Sequence, residues 1–198
     1  MLAAGSSRRF GAADKLTSDF RGRPLGAHVI DAMPHGRFAR KWVVASDPSH
    51  DCATIWIAAG FDVLHNSRAS EGMGTSVALA AQRAMREGCD GLLVALADMP
   101  LVPAEHYAAL ADGLDSCEAI IASRDAAALQ PPAIFGSAHF PRLARAAGDE
   151  GARRWLGSAR ALDCSPEWLI DIDTVEALDQ HGQAGGHGLK AGEEGEEL

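Results

Sequence analysis

Five short apolar runs constrain the fold of this chain more than any other feature of its sequence. They occupy residues 42–45, 61–64, 91–96, 119–122 and 133–135. A strand with one face in water alternates apolar and polar residues, whereas near-continuous apolar runs suit strands that are buried on both faces. Strands of a parallel sheet are buried in this way, because helices cover both faces of the sheet. The runs therefore predict a mostly parallel sheet.

Segments with helical periodicity lie between these runs. The clearest, residues 74–87, places Val77, Ala81 and Met85 at intervals of four on one face. Residues 103–114 begin with Pro103 in the first turn and end near Gly113, as helices commonly do. Further helices are expected at residues 25–33, 137–147 and 150–156. The alternation of strands and helices predicts an α/β domain.

The chain has 198 residues, the length of one domain. We place that domain at residues 1–181. Residues 182–198 are rich in glycine and glutamate with almost nothing apolar, a composition typical of disorder. The net charge of −9 argues against non-specific binding to nucleic acid or anionic membranes. No apolar run approaches the length of a membrane span, and the apolar start is too short for a signal peptide.

Four cysteines are widely spaced along the chain and form no CxxC pair. This pattern predicts neither a zinc site nor a disulfide framework. Reduced thiols are typical of cytosolic proteins, so we expect a cytoplasmic protein.

The loop at residues 2–15 carries the strongest chemical signal. Its small residues would let backbone N–H groups approach phosphate oxygens, and Arg9 and Lys15 would add mobile cations. The spacing matches neither the P-loop nor the dinucleotide-binding fingerprint. On the residues alone, a phosphate nest and a polar surface turn are equally good interpretations. Only residues 1–4 remain to supply the strand that anchors this loop, so that first strand is expected to be short or truncated.

Aspartates near predicted strand ends are candidate metal ligands. Asp98 follows the most apolar strand, and ligands of open α/β sheets bind at the carboxyl ends of strands. The alternative is an Asp that opens the turn before the next helix. Asp171 and Asp173 would share one face if they lay on a strand. Alternatively, Asp173 caps a helix that starts near Thr174.

The stretch at residues 72–76 reads GMGTS and precedes the longest predicted helix. Backbone amides at a helix N-terminus favour anionic ligands, so this segment is a candidate for contact with a nucleotide. An N-cap formed by Thr75 or Ser76 would explain part of the same pattern.

Taken in order, these motifs resemble the MobA-like nucleotidyltransferases, and within them the molybdenum cofactor cytidylyltransferases. The signature L-A-A-G-x-S-x-R-x-G, followed by a lysine, matches residues 2–11 and Lys15. Further matches follow in sequence order, at residues 24–25 with His28, Asn66, and residues 71–76, 97–100, 131–135, 148–153 and 171–174. Together they run from residue 2 to about residue 179.

The resemblance implies a Rossmann-like, doubly wound fold of the nucleotide-diphospho-sugar transferase type. It implies transfer of CMP from CTP to molybdopterin with release of pyrophosphate, and contact with a molybdoenzyme or its chaperone. The implied catalytic residues are Arg9, Lys15 and Asp98, and Asp98 and Asp173 are the implied ligands of Mg²⁺. The implied nucleotide-binding residues are Leu2, Ala3, Ala4, Gly5, Ser6, Ser7, Arg9, Lys15, Asn66, Gly74 and Ser76.

Four alternatives stay open. Ala3 and Ala4 resemble the cytidylyl branch, whereas the guanylyl branch tends to carry a second glycine there, so GTP is the alternative nucleotide. Residues 125–130 lack the family's usual glycine-containing turn, which leaves another phosphorylated acceptor open. Arg153 and Arg154 would either meet the acceptor phosphate or lie on an ordinary surface helix. A maturation factor that holds cofactor without turnover is the non-enzymatic alternative.

Overall fold

The computed structural model describes residues 1–5, 10, 14–34, 36–126, 128–148 and 153–183. Its strands are β1 (Asp19–Phe20), β2 (Arg23–Pro24), β3 (Trp42–Ala45), β4 (Asp62–His65), β5 (Gly91–Val94), β6 (Ile120–Arg124), β7 (Leu129–Gly136) and β8 (Arg160–Asp163). Its α-helices are α1 (Leu25–Asp31), α2 (Ala53–Ala58), α3 (Met73–Arg86), α4 (Ala104–Asp112), α5 (Phe140–Leu143) and α6 (Val175–Gly182). Short 3₁₀ helices cover Lys15–Thr17, Ala69–Glu71, Ser137–His139, Arg153–Ser158 and Pro166–Leu169.

A mostly parallel sheet runs through the centre of the molecule. β3 pairs with β4 in parallel, and β5, β7, β6 and β8 follow one another in a second group. Residues 1–3 join the two groups, because Leu2 bridges both Val44 and Leu96 in parallel. The resulting order is β4, β3, residues 1–3, β5, β7, β6, β8, and only β7 runs antiparallel to its neighbours. The predicted α/β class and parallel sheet are confirmed.

The strand predicted before the loop is reduced to residues 1–3, and these residues lie at the middle of the sheet. The Leu2 N–H donates to Ala95 O at 2.8 Å, and the Ala3 N–H donates to Val44 O at 2.8 Å. Leu2 is also buried. Hydrogen bonds on both sides therefore hold the first residues of the loop at residues 2–15.

Burial follows the predicted pattern in β3, in most of β6 and β7, and in most of α3, whereas β5 alternates buried with half-buried residues and β4 buries none fully. All four residues of β3 are buried, as expected for a strand covered on both faces. In α3, Val77 and Ala81 are fully buried, but Met85 is 47% exposed. Steps of four residues overshoot a helical turn, so each step rotates the side chain further from the core. Placing Met85 on the buried face was therefore wrong.

Some elements differ from the sequence-based expectation. α2 and β8 were not expected, and the helix expected at residues 137–147 is a 3₁₀ turn followed by the four residues of α5. β8 carries charged residues at both ends and buries none of its side chains fully, so it lacks an apolar run. Of the helix expected at residues 150–156, residues 150–152 lie outside the described part, and Arg153–Ser158 forms a 3₁₀ helix.

Two further expectations concern the whole chain. The tail predicted to be disordered falls largely outside the described residues, which end at residue 183. Across the part of the chain that is described, every helix is too short or too polar to cross a bilayer.

The order of the strands creates a crevice at the carboxyl ends of the central strands. The chain passes from residues 1–3 to β3 and β4 on one side, and then returns to β5 on the other side. Open α/β sheets bind ligands where the strand order reverses, outside the carboxyl ends of the strands. A ligand site is therefore expected at the segments that follow residue 3 and β5.

Candidate functional site

A buried ammonium group joins two carboxylates at this crevice. Lys15 Nζ lies 2.5 Å from Asp98 Oδ2 and 2.7 Å from Asp173 Oδ1. The side chain of Lys15 is 10% exposed, against 21% for Asp98 and 43% for Asp173. The cluster is thus shielded on the lysine side and open to solvent on the Asp173 side.

Backbone hydrogen bonds place the two aspartates beside each other. The Ala97 N–H donates to Leu2 O at 3.0 Å, which fixes the chain just before Asp98. The Ile172 N–H donates to the backbone oxygen of Asp98 at 2.9 Å, which draws the segment at residues 171–173 to the same place. Three segments distant in sequence therefore meet at one point.

The segment at residues 171–173 differs from both expectations for it. It is not a strand, because its backbone pairing with the segment after β5 consists of the hydrogen bond from Ile172 to Asp98. Thr174, not Asp173, caps α6, since its side-chain oxygen accepts the N–H of Ala177 at 3.1 Å. Asp173 is therefore not used as the cap, and its carboxylate reaches Lys15 instead.

Electrostatics keep Lys15 protonated. Burial by itself lowers the pKa of Lys15, but the charges and hydrogen bonds of Asp98 and Asp173 outweigh burial. The pKa of Lys15 consequently lies above its ordinary value of 10.5. At neutral pH the group is a fixed positive charge between two carboxylates.

A cavity of about 410 Å³ opens beside this cluster. Seven of the residues implied as catalytic or nucleotide-binding line it, namely Leu2, Ala3, Ala4, Gly5, Lys15, Ser76 and Asp98. Its other lining residues are Leu16, Ala69, Ser70, Gly72, Met73, Leu96 and Ala97. The loop at residues 2–5 and the start of α3 thus form two walls of one pocket.

Two predicted nucleotide-binding residues support this cavity from behind and are not among its lining residues. Asn66 is 5% exposed, and its Nδ2 donates to Thr75 Oγ1 and to Ser76 Oγ, both at 2.9 Å. The Gly74 N–H donates to Gly148 O at 2.8 Å. A Cβ on Gly74 would lie 2.7 Å from backbone atoms of Ala147. The structure gives both residues packing partners within the protein.

The wall formed by α3 begins at a glycine in an unusual conformation. Gly72 has φ of 112°, a region that side chains rarely adopt, and it precedes the first helical residue, Met73. Neither Thr75 nor Ser76 caps the helix, because both lie inside it. The sequence motif therefore marks a sharp entry into the helix.

No contact role was predicted for five of the lining residues, Leu16, Ala69, Ser70, Leu96 and Ala97. Leu96 and Ala97 lie between the end of β5 and Asp98, so the strand-end argument could have included them. Ala69 and Ser70 lie in a 3₁₀ turn for which the sequence gave no signal.

Arg154 lies over the ring of Trp155, with its guanidinium carbon 5.7 Å from the ring centroid. Ser6, Ser7 and Arg9 lie outside the described residues, as does the side chain of Arg153.

The donor set at Asp98 and Asp173 fits a magnesium ion. Both carboxylates already reach a single positive group, so both can contribute oxygens to one cation. Mg²⁺ in proteins is commonly held by one or two carboxylates together with substrate phosphates. The described residues contain no cluster of three or more His, Cys, Asp or Glu side chains suited to a metal. The two aspartates therefore suit a metal that arrives with phosphate ligands of its own.

Comparison with known proteins agrees with this geometry. The MobA-like NTP transferase domain matches residues 1–163 of the chain. Purine catabolism protein PucB of Bacillus subtilis is 32% identical over 193 residues, which covers 90% of this chain and 92% of PucB.

Two solved structures share the fold. Molybdopterin-guanine dinucleotide biosynthesis protein A of Archaeoglobus fulgidus has a TM-score of 0.69 at 17% identity, covering 92% of this chain and 95% of that one. A manganese complex of Rv0371C from Mycobacterium tuberculosis has a TM-score of 0.66 at 21% identity, covering 92% and 96%. At such identities the likeness establishes the fold, that of nucleotide-diphospho-sugar transferases. Together with the domain match and PucB, it leads to one conclusion: the chain belongs to the MobA-like NTP transferase family.

Proposed function

We propose that this protein transfers CMP from CTP to the phosphate of molybdopterin and releases pyrophosphate. The observation that carries the proposal is the meeting of Lys15, Asp98 and Asp173 beside the cavity of residues 2–5. One protonated amine and two carboxylates at the reversal of the strand order suit a metal-bound triphosphate.

The reaction needs charge stabilisation more than proton transfer. An oxygen of the acceptor phosphate attacks the α-phosphorus of CTP, and the bond from that phosphorus to the oxygen of the β-phosphate breaks. The attacking oxygen is already anionic, so no general base has to remove a proton from it. Negative charge builds up on the departing pyrophosphate, which takes the electrons of the broken bond. Catalysis then depends on positioning and on neutralising that charge.

Lys15 is the described residue best suited to the leaving group. Its raised pKa keeps it charged, and its side chain extends from the 3₁₀ turn into the crevice. An ammonium already held by two aspartates needs little reorganisation when phosphate oxygens arrive. Arg9 is proposed as a second cation for the triphosphate, on the match of its position to the family signature.

Asp98 and Asp173 would hold Mg²⁺, which when bound would supply positive charge to neutralise the phosphates. The two carboxylates converge on one point beside the cavity. Their placement on separate segments, joined by the bond from Ile172 to Asp98, keeps that point fixed. One solved structure with this fold, that of Rv0371C, is a manganese complex, which agrees with a divalent cation in this kind of protein.

CTP is proposed over GTP because of the loop that lines the cavity. Ala3 and Ala4 both line it, and their methyl groups occupy space that a glycine would leave open. The Archaeoglobus protein of the same fold is named for the guanine dinucleotide, so GTP is the alternative to test. Delivery of the product to a molybdoenzyme or its chaperone would follow the transfer.

Pyrophosphate release by the purified protein tests the proposal. The assay compares CTP with GTP in the presence of Mg²⁺, with and without molybdopterin, and identifies the product by mass spectrometry. We expect release with CTP and molybdopterin together, and formation of the cytosine dinucleotide of the cofactor. Preference for GTP would overturn the choice of nucleotide. Binding of molybdopterin without any release would instead support a maturation factor that holds the cofactor.

A further inference from the structure

A histidine outside the cavity is connected to the turn that carries Lys15. His50 lies in the segment between β3 and α2, and its side chain is 10% exposed. Its Nε2 is 2.5 Å from Asp14 Oδ2, and the Cys52 N–H donates to its Nδ1 at 3.0 Å. Because Nδ1 accepts a hydrogen bond, the ring proton lies on Nε2 and is donated to Asp14.

The His50 ring has little freedom to leave this position. It stacks on Trp56, with ring centroids 5.0 Å apart and an angle of 21° between the planes. Trp56 is itself fully buried, and its indole N–H donates to Gly26 O at 2.9 Å. The donor aimed at Asp14 is thus held by a hydrogen bond on one side and by a buried aromatic ring beneath it.

Asp14 transmits this constraint to Lys15. Its Oδ1 accepts the Leu16 N–H at 2.9 Å, which caps the 3₁₀ turn Lys15–Thr17. Its backbone oxygen accepts the Thr17 side-chain hydroxyl at 2.8 Å. One carboxylate oxygen therefore fixes the turn while the other is held by His50. The side chain of Lys15 leaves this turn to reach Asp98 and Asp173.

We propose that His50 is a positioning residue for Lys15, acting through its hydrogen bond to Asp14. His50 is not among the residues that line the cavity, so its effect on the reaction is indirect. Displacement of a catalytic group by about 1 Å can cost up to about a hundredfold in rate. The expected effect on turnover rests on the proposed function, whereas the effect on the lysine itself does not.

Two substitutions separate the contact with Asp14 from the contact with Cys52. In His50→Gln the amide nitrogen lies close to the place of Nε2, so the variant keeps a donor for Asp14. In His50→Asn the amide oxygen lies close to the place of Nδ1, so it keeps the acceptor for Cys52 and loses the reach to Asp14. If His50 only stabilised the segment before α2, His50→Asn would be the milder substitution. Under the proposed role, His50→Gln is the milder one.

The first readout is the rate at which an amine-reactive reagent labels Lys15, measured by mass spectrometry. Lys41, whose Nζ donates to Ala59 O at 2.8 Å, serves as an internal reference. The second readout is kcat and KM for CTP. We expect His50→Asn to speed labelling of Lys15 and to lower kcat/KM about tenfold, while His50→Gln stays within about twofold of wild type. Most of the loss should fall on kcat, because Lys15 acts on the leaving group.

Asp14→Asn provides a second route to the same result. Its amide oxygen still caps the turn, but its amide nitrogen faces a donor on His50. The variant should therefore show the same labelling rate of Lys15 and the same kcat/KM as His50→Asn. Equal labelling of Lys15 in wild type and His50→Asn would overturn the proposal. The proposal would also be overturned if His50→Gln lost as much kcat/KM as His50→Asn, since the ring alone would then matter. If labelling follows the expected pattern but wild type releases no pyrophosphate, the positioning role stands and the proposed function fails.

Discussion

The two walls of the cavity use their polar groups in opposite ways. On one wall, Lys15, Asp98 and Asp173 direct charged groups toward the crevice. Behind the other wall, Asn66 and Thr75 direct their polar groups at neighbouring protein atoms. The charged wall can exchange its contacts for those of a ligand. The wall built on α3 keeps its shape because its hydrogen bonds are made within the protein.

We interpret this difference as one between residues proposed to perform chemistry and residues that shape the space for it. Charged groups held close together at a partly open site stabilise charge that develops during a reaction. A buried amide whose donors are satisfied stabilises the folded state, and removing it leaves its partners unpaired. Substitutions on the first wall should therefore change turnover, and substitutions on the second wall should mainly change stability.

The largest effect is expected on the charged wall. Lys15→Ala or Asp98→Ala should lower turnover by about two to three decades, because each removes one electrostatic contributor. The measurement is the rate of pyrophosphate release with CTP. Asp112→Ala is the matched control, since Asp112 is an exposed partner of Arg37 and is not among the cavity-lining residues. Wild-type rates in either site variant would contradict these roles.

The next effect concerns the packing behind α3. Gly74→Ala places a methyl group 2.7 Å from backbone atoms of Ala147, and backbone cannot rotate away as a side chain can. We expect a loss of about 1–3 kcal/mol in the free energy of unfolding, typical of overpacking. Gly157→Ala is the control, because a Cβ there meets no atom within 4 Å. Equal stability of the two variants in urea unfolding would refute the close contact.

Asn66→Ala tests directly whether the second wall is structural. Thr75 and Ser76 would lose a buried donor, so the free energy of unfolding should fall by about 1–3 kcal/mol. KM for CTP should change much less, since Asn66 is not a lining residue. If KM rises by about tenfold or more while stability is unchanged, Asn66 binds the nucleotide itself.

The prediction for pH has the smallest expected effect. The folded protein raises the pKa of Lys15 above 10.5, so the protonated form favours folding. That contribution is fully present below pH 10.5 and is lost as pH rises through the folded pKa. The difference in unfolding free energy between wild type and Lys15→Met should stay constant from neutral pH to about pH 10 and then narrow. Urea unfolding across this range measures it, and narrowing near neutral pH would contradict the ion pairs.

Much of the fold followed from apolar patterning, and the exceptions have physical reasons. β3 is buried on both faces, so its apolar run identified it. β8 begins at Arg160 and ends at Asp163, so its place in the sheet depends on pairing with β6. The antiparallel direction of β7 depends on tertiary pairing in the same way. Local sequence does not carry such information.

The site was predictable where residue type alone sets the chemistry. Asp98 at a strand end and Lys15 in a loop of small residues suggested a charged site before the structure brought them together. The supporting roles of Asn66 and Gly74 depend on partners that meet only after folding. His50 is 36 residues from Asp14, and nothing in the sequence pairs them.

Binding of Mn²⁺ in the presence of CTP tests the central claim most directly, because it requires no acceptor. The titration is followed by electron paramagnetic resonance for wild type, Asp98→Asn and Asp173→Asn. Wild type should bind Mn²⁺ together with CTP, Asp98→Asn should lose that binding, and Asp173→Asn should weaken it. Retention of wild-type affinity by Asp98→Asn would show that the carboxylates beside Lys15 do not hold the metal of the triphosphate.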